Sequence, residues 1–270
     1  MNVIEHAAES IIKNSFAIIQ TPKHIYELFE LVEDGYASLP ATSKMSFRFD
    51  DRADGFLPQG QEYAENSPDK PDLCERFCYW YRHRQEHREY DIHSTRFYRG
   101  ISRYEAEISD LGQRILDEVA RHYSQPTIPV GRLDSYVQLC IYEAHHRRAD
   151  RIFLQEPHVD GHLLTFISNT SQGLALNSGN GMQAIYLERD QTLVMAGTLL
   201  DEVTDGAIPG MLHAVMPGSR TESRRLLIYF LNPPRAQGNI KTYGSGREID
   251  MLDIANNKHM AFGNPSLHPV

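Results

Sequence analysis

At 270 residues, 41% of them apolar, the chain is long enough to bury one large core or two small ones, and a single domain over 1–270 is the expectation. Its 27 lysines and arginines against 36 aspartates and glutamates leave a net charge of −9, which lacks the basic footprint that binds phosphate backbones. No run of about 18 apolar residues could span a membrane, the first ten residues lack the basic start and apolar core of a secretory signal, and Cys74, Cys78 and Cys140 are too sparse a set for a disulfide framework. The expectation is a cytoplasmic protein with neither nucleic acid nor membrane as a partner.

Residues 1–128 read as a helical and loop-rich part. From Val3 to Lys13, Ile4, Ala7, Ala8, Ile11 and Ile12 recur at helical spacing, and Ser15 to Ile19 reads as a short buried strand. Thr21-Pro22 signals a helix start, with Thr21 as the capping side chain and proline at the first helical position. Ile25, Leu28, Phe29, Val32 and Tyr36 then share one face until Pro40 ends the helix. The stretch from Asp50 to Pro71, dense in Gly, Pro, Asp and Asn, reads as connection rather than core. Cys74 and Cys78 could form half a zinc site, but with no second cysteine pair they read better as core thiols. Tyr79 to Tyr90 is crowded with charge and rings. It could be part of a lid that grips an anionic substrate through its arginines, or a solvated helix face with charge pairs four residues apart, and the second, plainer reading is preferred. A further helix is predicted over Ser102 to Tyr123, with Ile108, Leu111, Ile115 and Val119 in a stripe.

Between 129 and 234 the texture changes. Short apolar runs separated by Gly, Pro, Asn and Asp repeat about every 10 residues, the signature of an antiparallel sandwich or barrel. From Gln237 onward the chain turns polar, and 235–270 reads as a C-terminal extension, mostly tail or surface helix.

Within the strand-rich part, His158-Val159-Asp160 is followed 55 positions later by His213 (213 − 158) and then by Arg224 at the head of a β-branched and aromatic run. Side chains at i and i+2 of a strand or its extension point the same way, so His158 and Asp160 can reach one cation. Two imidazoles and one carboxylate form a set that leaves three positions of a ferrous ion open. A chain with 13 histidines contains about one H-x-D by chance, so the tripeptide needs its context.

That context resembles the isopenicillin N synthase-like family of Fe(II) and 2-oxoglutarate-dependent oxygenases. His158 to Thr165 is similar to the family's H-x-D-x-x-x-L-T strand, Gly173 to Leu176 to its G-L-x-[VL] step, and Gly197 to Leu200 to its G-D-x-L step with Thr198 in place of Asp. Asp205-Gly206 stands seven residues before His213, where the family usually has Asn-Gly, and Arg224, Phe230 and Pro233 match the anchors of R-x-S-x-x-x-F-x-x-P. In the amino-terminal half, Gly55 to Gly60 and Asp72 to Phe77 are similar to its G-[YF]-x-P-x-G and D-x-x-E-x-F landmarks.

The resemblance implies a mainly β fold with flanking helices (α+β), built on a double-stranded β-helix (jelly roll) core. It implies a non-haem iron dioxygenase that uses Fe(II), 2-oxoglutarate and O2, with ascorbate as a supportive reductant in vitro. Such an enzyme oxidises a C–H bond of a small molecule and releases succinate and carbon dioxide. His158, Asp160 and His213 match the metal ligands, and Arg224 matches the clamp on the far carboxylate of 2-oxoglutarate. Strand alternation turns Arg225 away from the interior. Tyr142 stands where relatives place a tyrosine that contacts the cosubstrate, although Cys140 replaces their Asn two residues earlier. The family's Ser two residues after the clamp is Leu226, which removes a hydroxyl donor worth about 1.5 to 3 kcal/mol to a charged group. His162 is expected near the site by strand parity, in a supporting rather than ligating role. Three alternatives stay open: an iron oxidase or cyclase of the same fold that does not use 2-oxoglutarate, a zinc hydrolase holding its metal through the same three residues, and a metal-free jelly-roll binding module.

Overall fold

In the computed structural model, residues 2–49, 51–64, 67–143, 151–169, 172–217 and 223–267 are described. The chain opens with α1 (Val3–Asn14), β1 (Phe16–Gln20), α2 (Lys23–Ala37) and α3 (Ala41–Ser46). Next come β2 (Gly55–Leu57), β3 (Glu75–Trp80), short 3-10 turns between Tyr81 and Ser94, and the long α4 (Arg96–His122). The strands β4 (Tyr136–Tyr142), β5 (Gln155–His158), β6 (Leu164–Asn169), β7 (Leu174–Asn177), β8 (Met182–Ala184) and β9 (Gln191–Ala196) lead to α5 (Thr198–Val203), β10 (His213–Val215) and β11 (Arg224–Leu231). A hairpin of β12 (Asn239–Lys241) and β13 (Glu248–Asp250) then delivers α6 (Met251–Ala261). No described helix is long and apolar enough to cross a membrane.

A seven-stranded sheet in the order β1-β9-β6-β11-β4-β3-β2 faces a four-stranded sheet in the order β5-β10-β7-β8, with every described pairing antiparallel. This is the double-stranded β-helix that the landmarks imply. The parity of β11 explains its near-continuous apolar run. Leu227, Tyr229 and Leu231 pack on one side with the buried stripes of α1, α2 and α4, while Leu226, Ile228 and Phe230 pack on the other with Leu174, Leu176 and Tyr142 inside the barrel. A strand buried on both faces has no polar face to show.

Local sequence rules place the framing helices, with three revisions. α1 starts at a capping box in which Asn2 accepts from the Ile4 and Glu5 amides and Glu5 answers the Asn2 amide. Thr21 does not cap α2. Pro22 occupies that position without a side-chain bond, and the Thr21 hydroxyl instead meets Thr192 Oγ1 at 2.7 Å, because sheet pairing competes for it. α4 begins six residues before the predicted Ser102, at a Thr95 cap that accepts from the Tyr98 amide, since the aromatic start Phe97-Tyr98 is buried rather than part of a loop. The Asp50 to Pro71 segment holds more core than its composition suggests: Asp54, Phe56, Leu57, Glu62 and Ala64 are all buried, and it carries β2. Asp50 itself lies outside the described residues.

Candidate metal centre and its surroundings

His158 closes β5, His213 opens β10, and the two stand directly opposite in the antiparallel register, ring centroids 4.3 Å apart. That pairing brings together residues 55 apart in sequence. Asp160 lies just past β5, where the chain turns toward β6. Its Oδ1 is 3.4 Å from His158 Nε2 and its Oδ2 is 3.7 Å from His213 Nε2. The three ligand atoms fall within 4.8 Å of one another, a span that one cation with bonds of about 2.0 to 2.2 Å can bridge.

The second layer of contacts aims these groups. His158 Nδ1 is 2.8 Å from the Glu156 carbonyl and His213 Nδ1 is 3.1 Å from the Met211 carbonyl. A ring N–H donated to a carbonyl fixes the tautomer and leaves Nε2 as the metal-facing lone pair. Thr165, the second residue of β6, donates its hydroxyl to Asp160 Oδ2 at 2.7 Å. Burial alone would raise the Asp160 pKa, but the neighbouring imidazoles, His213 first, hold it below the usual carboxylate range. Burial pulls His213 down to about 4, so its imidazole is neutral near pH 7.

Arg224, at the head of β11, points inward and is 4% exposed, while Arg225 faces outward and pairs with Glu33 at 3.3 Å. All three guanidinium nitrogens of Arg224 are buried without a hydrogen-bond partner among the described residues. Burial pulls this guanidinium down to about 10, the direction of a desolvated cation. Space beside it is kept by Gly173, at φ +126°, where an added Cβ would sit 2.7 Å from the Met216 carbonyl and 3.5 Å from Arg224 Nη1. Tyr142 lies across from Arg224 in the β4–β11 register, its ring 5.8 Å from the guanidinium, with its hydroxyl donating to Gln155 Oε1 at 3.3 Å. Leu226 occupies the inward row two residues on, buried between Cys140 and β6, so no hydroxyl stands there.

His162 does not follow strand parity, because residues 159–163 bend away from the strand between β5 and β6. His162 nevertheless lines the metal pocket and takes a supporting place, its Nδ1 2.9 Å from Asn232 Oδ1. The three cysteines are buried free thiols, and none joins a metal-ligating group among the described residues. A second His-His-Asp group does exist. Asp54 Oδ2 lies 2.8 Å from both His83 Nδ1 and His87 Nε2, with Arg52 Nε 3.6 Å away and His87 Nδ1 taken by the Tyr98 hydroxyl at 2.8 Å. A guanidinium beside the carboxylate and hydrogen-bonded spacings mark it as a structural anchor, and it ties the charge-dense stretch into the core. That stretch is therefore not the solvated helix face that its charge pairs suggested: it is a run of 3-10 turns, with His87 fully buried.

Several lining residues were not visible in the sequence. A cavity of about 50 Å³ beside the ligands is walled by Glu62, Gln138, Gln155, Lys258 and Phe262, among others. Glu62 comes from the supposed connection and Lys258 and Phe262 from the supposed tail, which instead returns over the site as α6. Residues 268–270 of that tail lie outside the described residues. Arg76, fully buried, backs this wall by pairing with Glu62 at 2.9 Å and with Asp72.

No protein-family model and no curated protein matches the chain. Solved structures do. A full-length Neurospora crassa protein in complex with alpha-KG and thymine superposes with a TM-score of 0.71 at 15% identity, covering 96% of this chain and 92% of that one. A putative 2OG-Fe(II) oxygenase family protein from Caulobacter crescentus gives 0.72 at 17% identity (95% and 93%), and the rice dioxygenase for auxin oxidation gives 0.70 at 13% (97% and 91%). The fold is thus that of the 2OG-Fe(II) oxygenases.

Proposed function

We propose that the protein is an Fe(II)- and 2-oxoglutarate-dependent oxygenase that oxidises a C–H bond of a small molecule with release of succinate and carbon dioxide. The observation that carries this reading is Arg224, a buried cation whose three guanidinium nitrogens have no hydrogen-bond partner among the described residues. Desolvating an ion costs several kcal/mol, and a carboxylate meeting the planar fork in two parallel bonds offsets that cost. The far carboxylate of 2-oxoglutarate has that chemistry, and the His158, Asp160 and His213 set has the chemistry of a ferrous site with open positions. When bound, the iron with 2-oxoglutarate and dioxygen supplies the oxidation of an unactivated carbon, giving hydroxylation, desaturation or ring closure.

The chain's own contribution is positioning. Carbonyl-anchored His158 and His213 hold their Nε2 atoms ready, Asp160 supplies the negative charge, and Leu174, Leu176 and Leu226 belong to the buried apolar cluster of the barrel interior. Tyr142, opposite Arg224, lines the cosubstrate side. The Neurospora protein was solved with thymine and with 5-formyluracil, and a small molecule is the class that we carry over to this chain. Arg224→Ala should weaken 2-oxoglutarate binding to the iron-loaded protein by about 2 to 5 kcal/mol, measured by equilibrium titration. Unchanged affinity contradicts the assignment.

Leu226 favours one other reading, an oxidase of the same fold that draws its electrons from the substrate alone, because the hydroxyl of the usual Ser is missing beside the clamp. Succinate formation separates the two, since such an oxidase makes none.

A further inference from the structure

A second cavity, of about 350 Å³, is not used by this reading. Its walls include Arg52, Trp80, Arg82, His83, Arg235 and His259. It adjoins the metal pocket in two ways: His259 lines both spaces, and the Trp80 indole stacks at 4.2 Å and 17° on Tyr136, a wall of the metal pocket. On a chain of net charge −9 this is a local concentration of cations.

Arg82 and Arg235 share one carboxylate. Arg235 Nε is 3.0 Å from Asp134 Oδ1, Arg82 Nη2 bonds the same oxygen, and each guanidinium spends a further donor on a backbone carbonyl, Leu133 for Arg82 and Leu267 for Arg235. Burial pulls both guanidiniums below the usual arginine value, and the field of Arg82 pushes Arg235 further the same way. Arg52 is held by Glu86 at 2.6 Å, with Asp51 at 3.8 Å. Asp51, the acid among the lining residues, has a side chain 76% exposed, so it stands at the rim. His83 spends Nδ1 on Asp54, which leaves Nε2 as its uncommitted ring nitrogen with respect to that carboxylate.

We propose that this cavity is a subsite for an anionic group, a carboxylate, carried by an organic acid whose reacting carbon lies at the metal ligands. Two guanidiniums around one aspartate accept a second carboxylate through planar, bidentate donors, which is the geometry arginine offers and a lone ammonium does not. That the bound acid is the substrate rests on the oxygenase reading; the anion site itself does not.

Trp80 is the sole tryptophan of the chain, so its emission reports this cavity. Acetate, benzoate, phenylacetate and the neutral phenylacetamide are titrated into the metal-free 270-residue chain. At least one acid should give a saturable change in emission that weakens with added salt, with phenylacetamide weaker than phenylacetate by about tenfold or more. Arg82→Gln and Arg235→Gln should each raise the dissociation constant by a similar factor. Equal affinity for phenylacetate and its amide, or no saturable response to any acid, overturns the proposal. Arg224 also presents donors to a carboxylate, so the comparison is repeated in Arg224→Ala: a preference for phenylacetate over its amide that persists there supports the subsite even if both other variants fail to fold, and one that disappears there overturns it. A failure of the oxygenase reading shows separately, as absent succinate with iron, and leaves these titrations unchanged.

Discussion

Thr165 and Asp54 show how single side chains carry the account. Thr165 contacts Asp160 and not the metal position, yet it is the hydroxyl that fixes the carboxylate. Thr165→Val keeps the shape and removes the donor, so iron affinity should fall by about 10- to 100-fold, read by competition against a metal chelator. Unaltered affinity would remove Thr165 from the site. Asp54 is buried, and although burial raises its pKa, the hydrogen bonds from His83 and His87 win and hold it below the usual carboxylate range. Its stabilisation is therefore present above the unfolded value of about 3.9 and is lost as pH falls through the lower folded value. Asp54→Asn should destabilise the protein by about 3 to 5 kcal/mol near neutrality, and the gap from the unaltered protein should narrow on acidification below about pH 4, followed by denaturant unfolding across pH. At this scale the meeting of His158, Asp160 and His213 was legible because few residue types bind iron and their spacing matched the landmarks. Thr165, Glu62 and Gln138 were not, since a lone polar residue carries no sign of what it will face.

At the scale of elements, α6 gives the sharpest lesson. Its sequence is polar and weakly patterned, and nothing in it announces that Lys258, His259 and Phe262 roof the metal pocket. The complementary signal is Gly161, beside Asp160, where an added Cβ would lie 2.5 Å from Lys258 Cβ. Because that contact is close to the helix backbone, Gly161→Ala must push α6 away. We expect a loss of about 1 to 3 kcal/mol in denaturant unfolding. A variant as stable as the parent would show that α6 does not seat there. The strands were more legible than the turns. β11 and β4 show their two-sided burial as near-continuous apolar runs, broken in β4 by Gln138, whereas Thr21 was misjudged because a tertiary partner, Thr192, outbid the local capping rule, and the start of α4 because its Thr95 cap was overlooked.

For the whole molecule, the decisive fact is topological. β5 and β10 are neighbours in the smaller sheet, and this adjacency places His213 opposite His158 while β11 delivers Arg224 from the larger sheet. Landmarks spread from Gly55 to Pro233 were enough to read that architecture from sequence, although identity to solved structures of the fold is only 13 to 17% among those compared above. Backbone geometry constrains a few turns, ligands and anchors, and the rest of the barrel needs only apolar bulk of suitable volume. The cavity lined by Arg82 and Arg235 depends on residues outside those landmarks, so its specificity was hidden. The most direct test of the central claim is an anaerobic titration of the Fe(II)-loaded protein with 2-oxoglutarate, followed in the visible range. A metal-to-ligand charge-transfer band that saturates at one cosubstrate per chain and is lost in His158→Ala is the expected result. A protein that binds no iron, or that binds iron and develops no band, rules out the oxygenase assignment.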